Sequence, residues 1–181
     1  MVIKESKLKG CYIIQPQIFE DKRGYFLETY NEKSFSKALG LNINFVQDNE
    51  SQSSKGVLRG LHYQKGKFAQ AKLVRVIKGK VLDIAVDLRK NSTTFGEYVS
   101  VILSEENKMQ LFIPRGFAHG FLVLEDDTIF SYKCDNFYNK ESESGIIYND
   151  KELNIDWKYS ENELILSEKD LHLPSFKNAK L

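Results

Sequence analysis

Proline, cysteine, methionine and tryptophan are scarce in this 181-residue chain, and neither sign of charge is in excess. The two cysteines, Cys11 and Cys134, are too few for a disulfide framework and lack the C-x-x-C spacing of a redox or metal site; reduced thiols are expected. Three prolines and no low-complexity stretch leave nothing to serve as a linker, so residues 1–181 are expected to form one domain. Lys and Arg number 26 against 25 Asp and Glu, a net charge of +1. That balance gives no long-range field for gathering nucleic acid or an anionic membrane. A local cluster of bases can still hold an anionic small molecule. No apolar run reaches bilayer length, and the opening Met1-Val-Ile-Lys-Glu-Ser-Lys7 lacks the apolar core of a signal peptide, so a cytoplasmic protein is expected.

What is present reads as β structure. Hydrophobic residues make up 41% of the chain and charged residues 28%, as in a soluble globular protein with room for a self-sufficient core. Residues 32–39 suit a short helix ended by Gly40. After it come short strand-like runs at 57–63, 72–78, 80–88, 98–103, 110–113, 120–124, 128–133 and 145–148. The second and third flank Gly79 and suggest a hairpin. Many short strands at close spacing point to a sandwich or barrel. The polar segment 160–181 is expected to pack on the body as loop or short helix. Twelve Phe and nine Tyr are mostly core and sheet-face residues.

Only three histidines occur, His62, His119 and His172, and a lone histidine in a sheet protein is more often structural than catalytic. Context raises two of them. His62 lies in Arg59-Gly-Leu-His-Tyr-Gln64, where glycine permits close backbone approach and Arg59 offers an anion fork. His119 lies in the turn-rich Ile113-Pro-Arg-Gly-Phe-Ala-His-Gly-Phe121. His172 stands among leucines and reads as structural.

Pro114-x-Gly116-x-x-His119 resembles the second motif of the cupin superfamily, which implies an all-β fold: a cupin-type double-stranded β-helix jelly roll with short peripheral helices. Metal-binding cupins carry His-x-His in the first motif, whereas this chain has Gly60-Leu61-His62. Two histidines fall short of the three or four convergent ligands zinc or iron needs. Neither a metal nor another cofactor is expected.

A narrower resemblance runs along nearly the whole chain. Ile18-Phe-Glu-Asp-Lys-Arg-Gly-Tyr-Phe-Leu-Glu28, Phe45-Val-Gln-Asp-Asn49, Ser54-Lys-Gly-Val-Leu-Arg-Gly-Leu-His-Tyr-Gln64 and Ala69-Gln-Ala-Lys-Leu-Val-Arg75 resemble the dTDP-4-dehydrorhamnose 3,5-epimerase family. So do Phe112-Ile-Pro-Arg-Gly-Phe-Ala-His-Gly-Phe-Leu-Val123, Tyr132-Lys-Cys134 and Leu166-Ser-Glu-Lys-Asp170, in the family's order. Epimerisation beside a ketone needs a base, an acid on the opposite face and a cation for the enolate oxygen. The resemblance implies that His62 is the base, and an ordinary imidazole pKa of about 6.5 suits that task. Asp170 is implied as the carboxylate that orients His62, Tyr132 as the acid and Lys72 as the cation. Taken singly, Asp170 reads as a surface carboxylate, Tyr132 as core alternating with Phe130, and Lys72 as a solvated strand edge.

For substrate binding the resemblance points to Arg23, Glu28, Gln47, Asn49, Arg59, His119, Tyr138, Glu143 and Lys169. The arginines suit a pyrophosphate and Tyr138 a nucleobase stack. It also implies a homodimer in which Arg23 and Glu28 serve the partner's site. The chain departs from the common family pattern at Glu50, at Arg115 and in Tyr63-Gln-Lys-Gly-Lys-Phe-Ala69. The implied reaction is inversion of C3 and C5 of a nucleoside-diphosphate 4-keto-6-deoxy sugar, dTDP-4-keto-6-deoxy-glucose by default. Alternatives are a GDP-linked 4-keto-6-deoxy-heptose, inversion of C3 or C5 alone, a 3,4-ketoisomerase, or a non-catalytic sugar-binding cupin.

Overall fold

The computed structural model describes residues 1–181. Four short strands open the chain: β1 (Val2–Glu5), β2 (Tyr12–Gln15), β3 (Ile18–Asp21) and β4 (Gly24–Leu27). The helix α1 (Glu32–Leu39) follows, then β5 (Gln47–Ser53), β6 (Leu58–Gln64), β7 (Lys72–Lys78) and β8 (Lys80–Asp87). The remaining strands are β9 (Tyr98–Ser104), β10 (Gln110–Ile113), β11 (Phe117–Val123), β12 (Thr128–Cys134) and β13 (Glu143–Gly145), and the short helix α2 (Glu168–Leu171) comes near the end. Two antiparallel sheets result, ordered β1-β2-β10-β7-β12-β5 and β13-β6-β11-β8-β9, with β3 and β4 paired apart as an arm. This is the cupin-type jelly roll that the strand pattern and the second cupin motif imply. No helix is long and apolar enough to cross a membrane.

The burial pattern explains why the sequence makes these layers. Between the sheets lies one apolar cluster that includes Val74, Val76, Leu103, Leu111, Phe121 and Phe130. The outer face of the five-stranded sheet, with Leu82, Ile84 and Val86, is covered by residues 146–157 and Trp157 in particular. The outer face of the six-stranded sheet is capped by α1 through Phe35. β8 is therefore buried on both faces, which is why it reads as a nearly unbroken apolar run. The helix matches its sequence limits: the Asn31 side chain accepts from Ser34 N at 3.0 Å, and Gly40 closes it at φ 66°.

The hairpin suggested at Gly79 is not formed. β7 pairs with β10 and β12, and β8 pairs with β9 and β11, so Gly79 carries the chain from one sheet to the other. One residue is too short for the two-residue turn that would fold antiparallel neighbours together. Gly79 has φ +80°, and a Cβ there would lie 2.2 Å from Thr128 Oγ1, so only glycine fits this corner. The sequence pattern also passed over β1 to β5. β13 ends earlier than the run at 145–148 suggests.

Asp87 pins the loop after β8. Its carboxylate has no exposed surface and accepts from the Arg89 backbone and guanidinium, Ser92 Oγ and Thr94 Oγ1. Burial alone pushes this carboxyl upward, but the donors outweigh it and hold the pKa at about 2. A depressed folded pKa stabilises the fold above the unfolded value of about 4, and that contribution is lost as pH falls from about 4 through about 2. Asp87→Ala should therefore cost about 2–3 kcal/mol in urea unfolding at pH 7, by leaving the donors of Arg89, Ser92 and Thr94 without their shared acceptor. It should also flatten the loss of stability between pH 4 and 2.

Candidate active site

At one end of the sandwich interior the apolar packing gives way to a polar cavity of about 400 Å³ that contains His62, Lys72, His119 and Tyr132. A second cavity of about 250 Å³ adjoins it and shares His62, Lys72 and Tyr132. Strand alternation puts these side chains inside. His62 on β6 is the register partner of His119 on β11, so both imidazoles leave the same face of the five-stranded sheet. Lys72 on β7 and Tyr132 on β12 occupy the facing sheet, with Lys72 Nζ 5.7 Å from the Tyr132 ring centroid. His62 and Tyr132 thus stand on opposite walls of one cavity.

The close approach of β6 and β11 depends on Gly60, which has φ +126° and whose Cβ would lie 2.6 Å from Gly120 Cα. His62 Nε2–H donates to Asp170 Oδ1 at 2.6 Å. Asp170 is 3% exposed although it lies in the C-terminal segment. It is held there because Asp170 N donates to Ser167 Oγ, and residues 56–58 and 165 exchange backbone hydrogen bonds. Burial works to raise the Asp170 pKa, but the hydrogen bond and charge of His62 prevail and leave it below the usual carboxylate value. Asp170 is a buried partner, not a surface carboxylate.

Lys72 lies on an interior strand of the sheet, not at a solvated edge, and makes no ion pair or hydrogen bond in the chain. Desolvation lowers its pKa, opposed by the nearby Asp83 and Glu143. Desolvation raises that of Tyr132, so the phenol keeps its proton. Arg59 donates only to Ser53 Oγ, at 3.1 and 3.3 Å, and pairs with no carboxylate; its guanidinium is free for an anion. The smaller cavity carries the other binding candidates. Gln47 Oε1 accepts from Tyr138 N at 2.9 Å, Gln47 Nε2 donates to Asn49 Oδ1 at 2.9 Å, and Glu143 Oε2 accepts from Tyr138 Oη at 3.0 Å and pairs with Lys169 Nζ at 2.6 Å. The Tyr138 ring stays half exposed at the mouth.

Two candidates lie elsewhere in this chain. Arg23 is exposed on the β3–β4 arm and paired with Asp21, and Glu28 accepts from Asn31 at 3.1 Å. Neither lines the cavity. His172 is exposed and its Nδ1–H donates to the Glu168 carbonyl at 2.7 Å. One group at the site escaped the sequence reading, Asp83 of β8, whose carboxylate accepts from His119 Nε2 at 3.0 Å. The signal available was an acidic residue inside a strand that is otherwise apolar on both faces.

The cavity does not fit a metal centre. Two histidines line it, Asp170 is already held by His62, and Gly60 stands where the first-motif His-x-His would place its first ligand. The carboxylates close enough to share an ion, Glu105, Glu106 and Glu125, lie outside the cavity, and Lys80 already pairs with Glu125.

Comparison with known proteins adds an independent line. The model of the family described as dTDP-4-dehydrorhamnose 3,5-epimerase matches residues 5–178. The chain is 51% identical to the dTDP-4-dehydrorhamnose 3,5-epimerase of Shigella flexneri, over 99% of this chain and 98% of that protein. It is similar to the crystal structure of the dTDP-4-dehydrorhamnose 3,5-epimerase of Elizabethkingia anophelis NUHP1, at 61% identity and a TM-score of 0.95, covering 98% of this chain and 97% of the other. A dTDP-6-deoxy-D-glucose-3,5-epimerase from Legionella pneumophila Philadelphia 1, in complex with dTDP-4-keto-L-rhamnose, is similar at 48% identity and a TM-score of 0.94, covering 98% and 93%.

Proposed function

The chain belongs to the dTDP-4-dehydrorhamnose 3,5-epimerase family, and from that membership we propose that it inverts C3 and C5 of dTDP-4-keto-6-deoxy-glucose to give dTDP-4-keto-L-rhamnose. The observation that carries the mechanism is the placing of His62 and Tyr132 on opposite walls of one cavity, with Lys72 beside Tyr132. His62 removes the proton next to the ketone, and Asp170 stabilises the imidazolium that forms. The charge moves to the C4 oxygen, where Lys72 receives it. Tyr132 returns a proton from the other face, so the centre inverts. The smaller cavity holds the base, with Tyr138 stacked on it, and Arg59 on the wall of the larger cavity takes the diphosphate.

The protein acts in the cytoplasm as a homodimer. Arg23 and Glu28 lie away from their own chain's cavity, and the arm that carries Arg23 exposes Phe19, Tyr25 and Phe26. An apolar arm of this kind suits burial against a second copy.

The test is isotopic. In deuterated buffer the wild-type protein should place solvent deuterium at C3 and C5 with inversion. Tyr132→Phe should keep part of the exchange, because His62 can return a deuteron to the face it came from, while inversion falls much further. Normal inversion by Tyr132→Phe would remove Tyr132 from the role of acid. Because the donor set fits no metal, prolonged EDTA treatment should leave turnover unchanged. Loss on chelation that one metal restores would overturn that reading.

A further inference from the structure

Asp83 has no part in the proton transfers above, yet it is placed as though it serves them. It has no exposed surface, and both of its oxygens lie within reach of a single donor, His119 Nε2, at 3.0 and 3.2 Å. Nothing else in the chain hydrogen-bonds to it. The His119 ring is 7% exposed at its side chain and stacks on Phe130 at 6.0 Å and 20°. Its Nδ1 makes no hydrogen bond in the chain, although the residue lines the larger cavity. A carboxylate only accepts, so Nε2 carries the hydrogen and Nδ1 is left for whatever enters. The same logic fixes the tautomer of a histidine in a triad or at a metal.

We propose that Asp83 is a positioning residue that holds His119 as the Nε2–H tautomer, leaving Nδ1 a bare acceptor that receives a hydroxyl of the sugar ring and does not bind the diphosphate. This rests on the epimerase reading of the site. Burial pushes His119 below the usual histidine value, and Lys72 and His62 add to that against the pull of Asp83. The uncommitted guanidinium of Arg59 already supplies the cation that a diphosphate requires.

Three histidines make the protein readable by nitrogen NMR after ¹⁵N-histidine labelling. Between pH 6 and 8, His119 should show a protonated Nε2 and an unprotonated Nδ1. Saturating dTDP-L-rhamnose, which cannot form the enolate, should shift Nδ1, whereas dTDP alone should leave it in place. Asp83→Asn offers an amide oxygen and should keep the tautomer. Asp83→Ala should let the tautomers mix and raise KM about tenfold with a smaller change in kcat, the size of one lost hydrogen bond. A doubly protonated His119 at neutral pH, or an Nδ1 that dTDP shifts as much as the sugar nucleotide does, overturns the proposal. So does a bound sugar nucleotide that leaves Nδ1 unmoved. Failure of dTDP-L-rhamnose to bind at all sinks the epimerase reading, and this proposal with it.

Discussion

His62→Ala protein in deuterated buffer should leave C3 and C5 of the 4-keto sugar unlabelled and uninverted, with turnover down by about 10⁴-fold, the upper end for one positioned base. Without the base no enolate forms, so exchange and inversion disappear together. This double loss separates His62 from Tyr132, whose removal spares part of the exchange. The substitution also strips Asp170 of its donor at 2.6 Å and leaves a buried carboxylate with only the long bond from Gly60 N at 3.4 Å, at a cost of about 1–3 kcal/mol. His62→Gln puts an amide donor near the place of Nε2, keeps a partner for Asp170 and controls for that destabilisation. It should be equally inactive while melting closer to wild type. Exchange at either carbon in a folded His62 variant would mean that another group abstracts the proton.

Lys72→Met should depress exchange and inversion in step, by about 10²- to 10³-fold in kcat, which corresponds to about 3–4 kcal/mol of lost oxyanion stabilisation. Its thermal behaviour should run the other way. Lys72 is a desolvated cation with no hydrogen bond or ion pair in the chain, and an isolated charge in such a place costs stability. A methionine of similar length fills the space without that penalty, so the melting temperature should hold or rise. Stability gained where activity is lost is the mark of a strained functional site. A variant whose KM rises while kcat stays unchanged would make Lys72 a binding group, with no share in stabilising the enolate.

How much of this was legible in the sequence depends on what each residue does locally. The strands β6 to β12 were visible because their apolar residues have a face to bury. β5 was not, since Gln47-Asp-Asn-Glu-Ser-Gln-Ser53 has no apolar residue. Its inward positions line the polar end of the interior, where the cavity replaces the core. Gly79 misled because a glycine between two β-rich runs says that the chain bends without saying which strands then pair. The candidates His62, Lys72 and Tyr132 came from ordered motifs, and the fold brings them to one cavity. Asp170 looked like a surface group when read alone, because its burial is decided by the path of the tail. Asp83 stayed hidden because its meaning depends on His119, 36 positions later, facing it from the neighbouring strand.

The order of the elements has a further consequence for how the enzyme comes into being. Every strand lies before residue 146, but the carboxylate that steadies the base arrives at Asp170. A chain growing on the ribosome can therefore lay down every strand and His62 while the imidazole still lacks its partner and residues 165–170 have yet to complete the cavity wall. Synthesis of the strands and onset of proton chemistry are separated in time, and a scission between residues 158 and 164 would leave the strands and their cover of residues 146–157 in one piece while severing the base from its anchor along the chain.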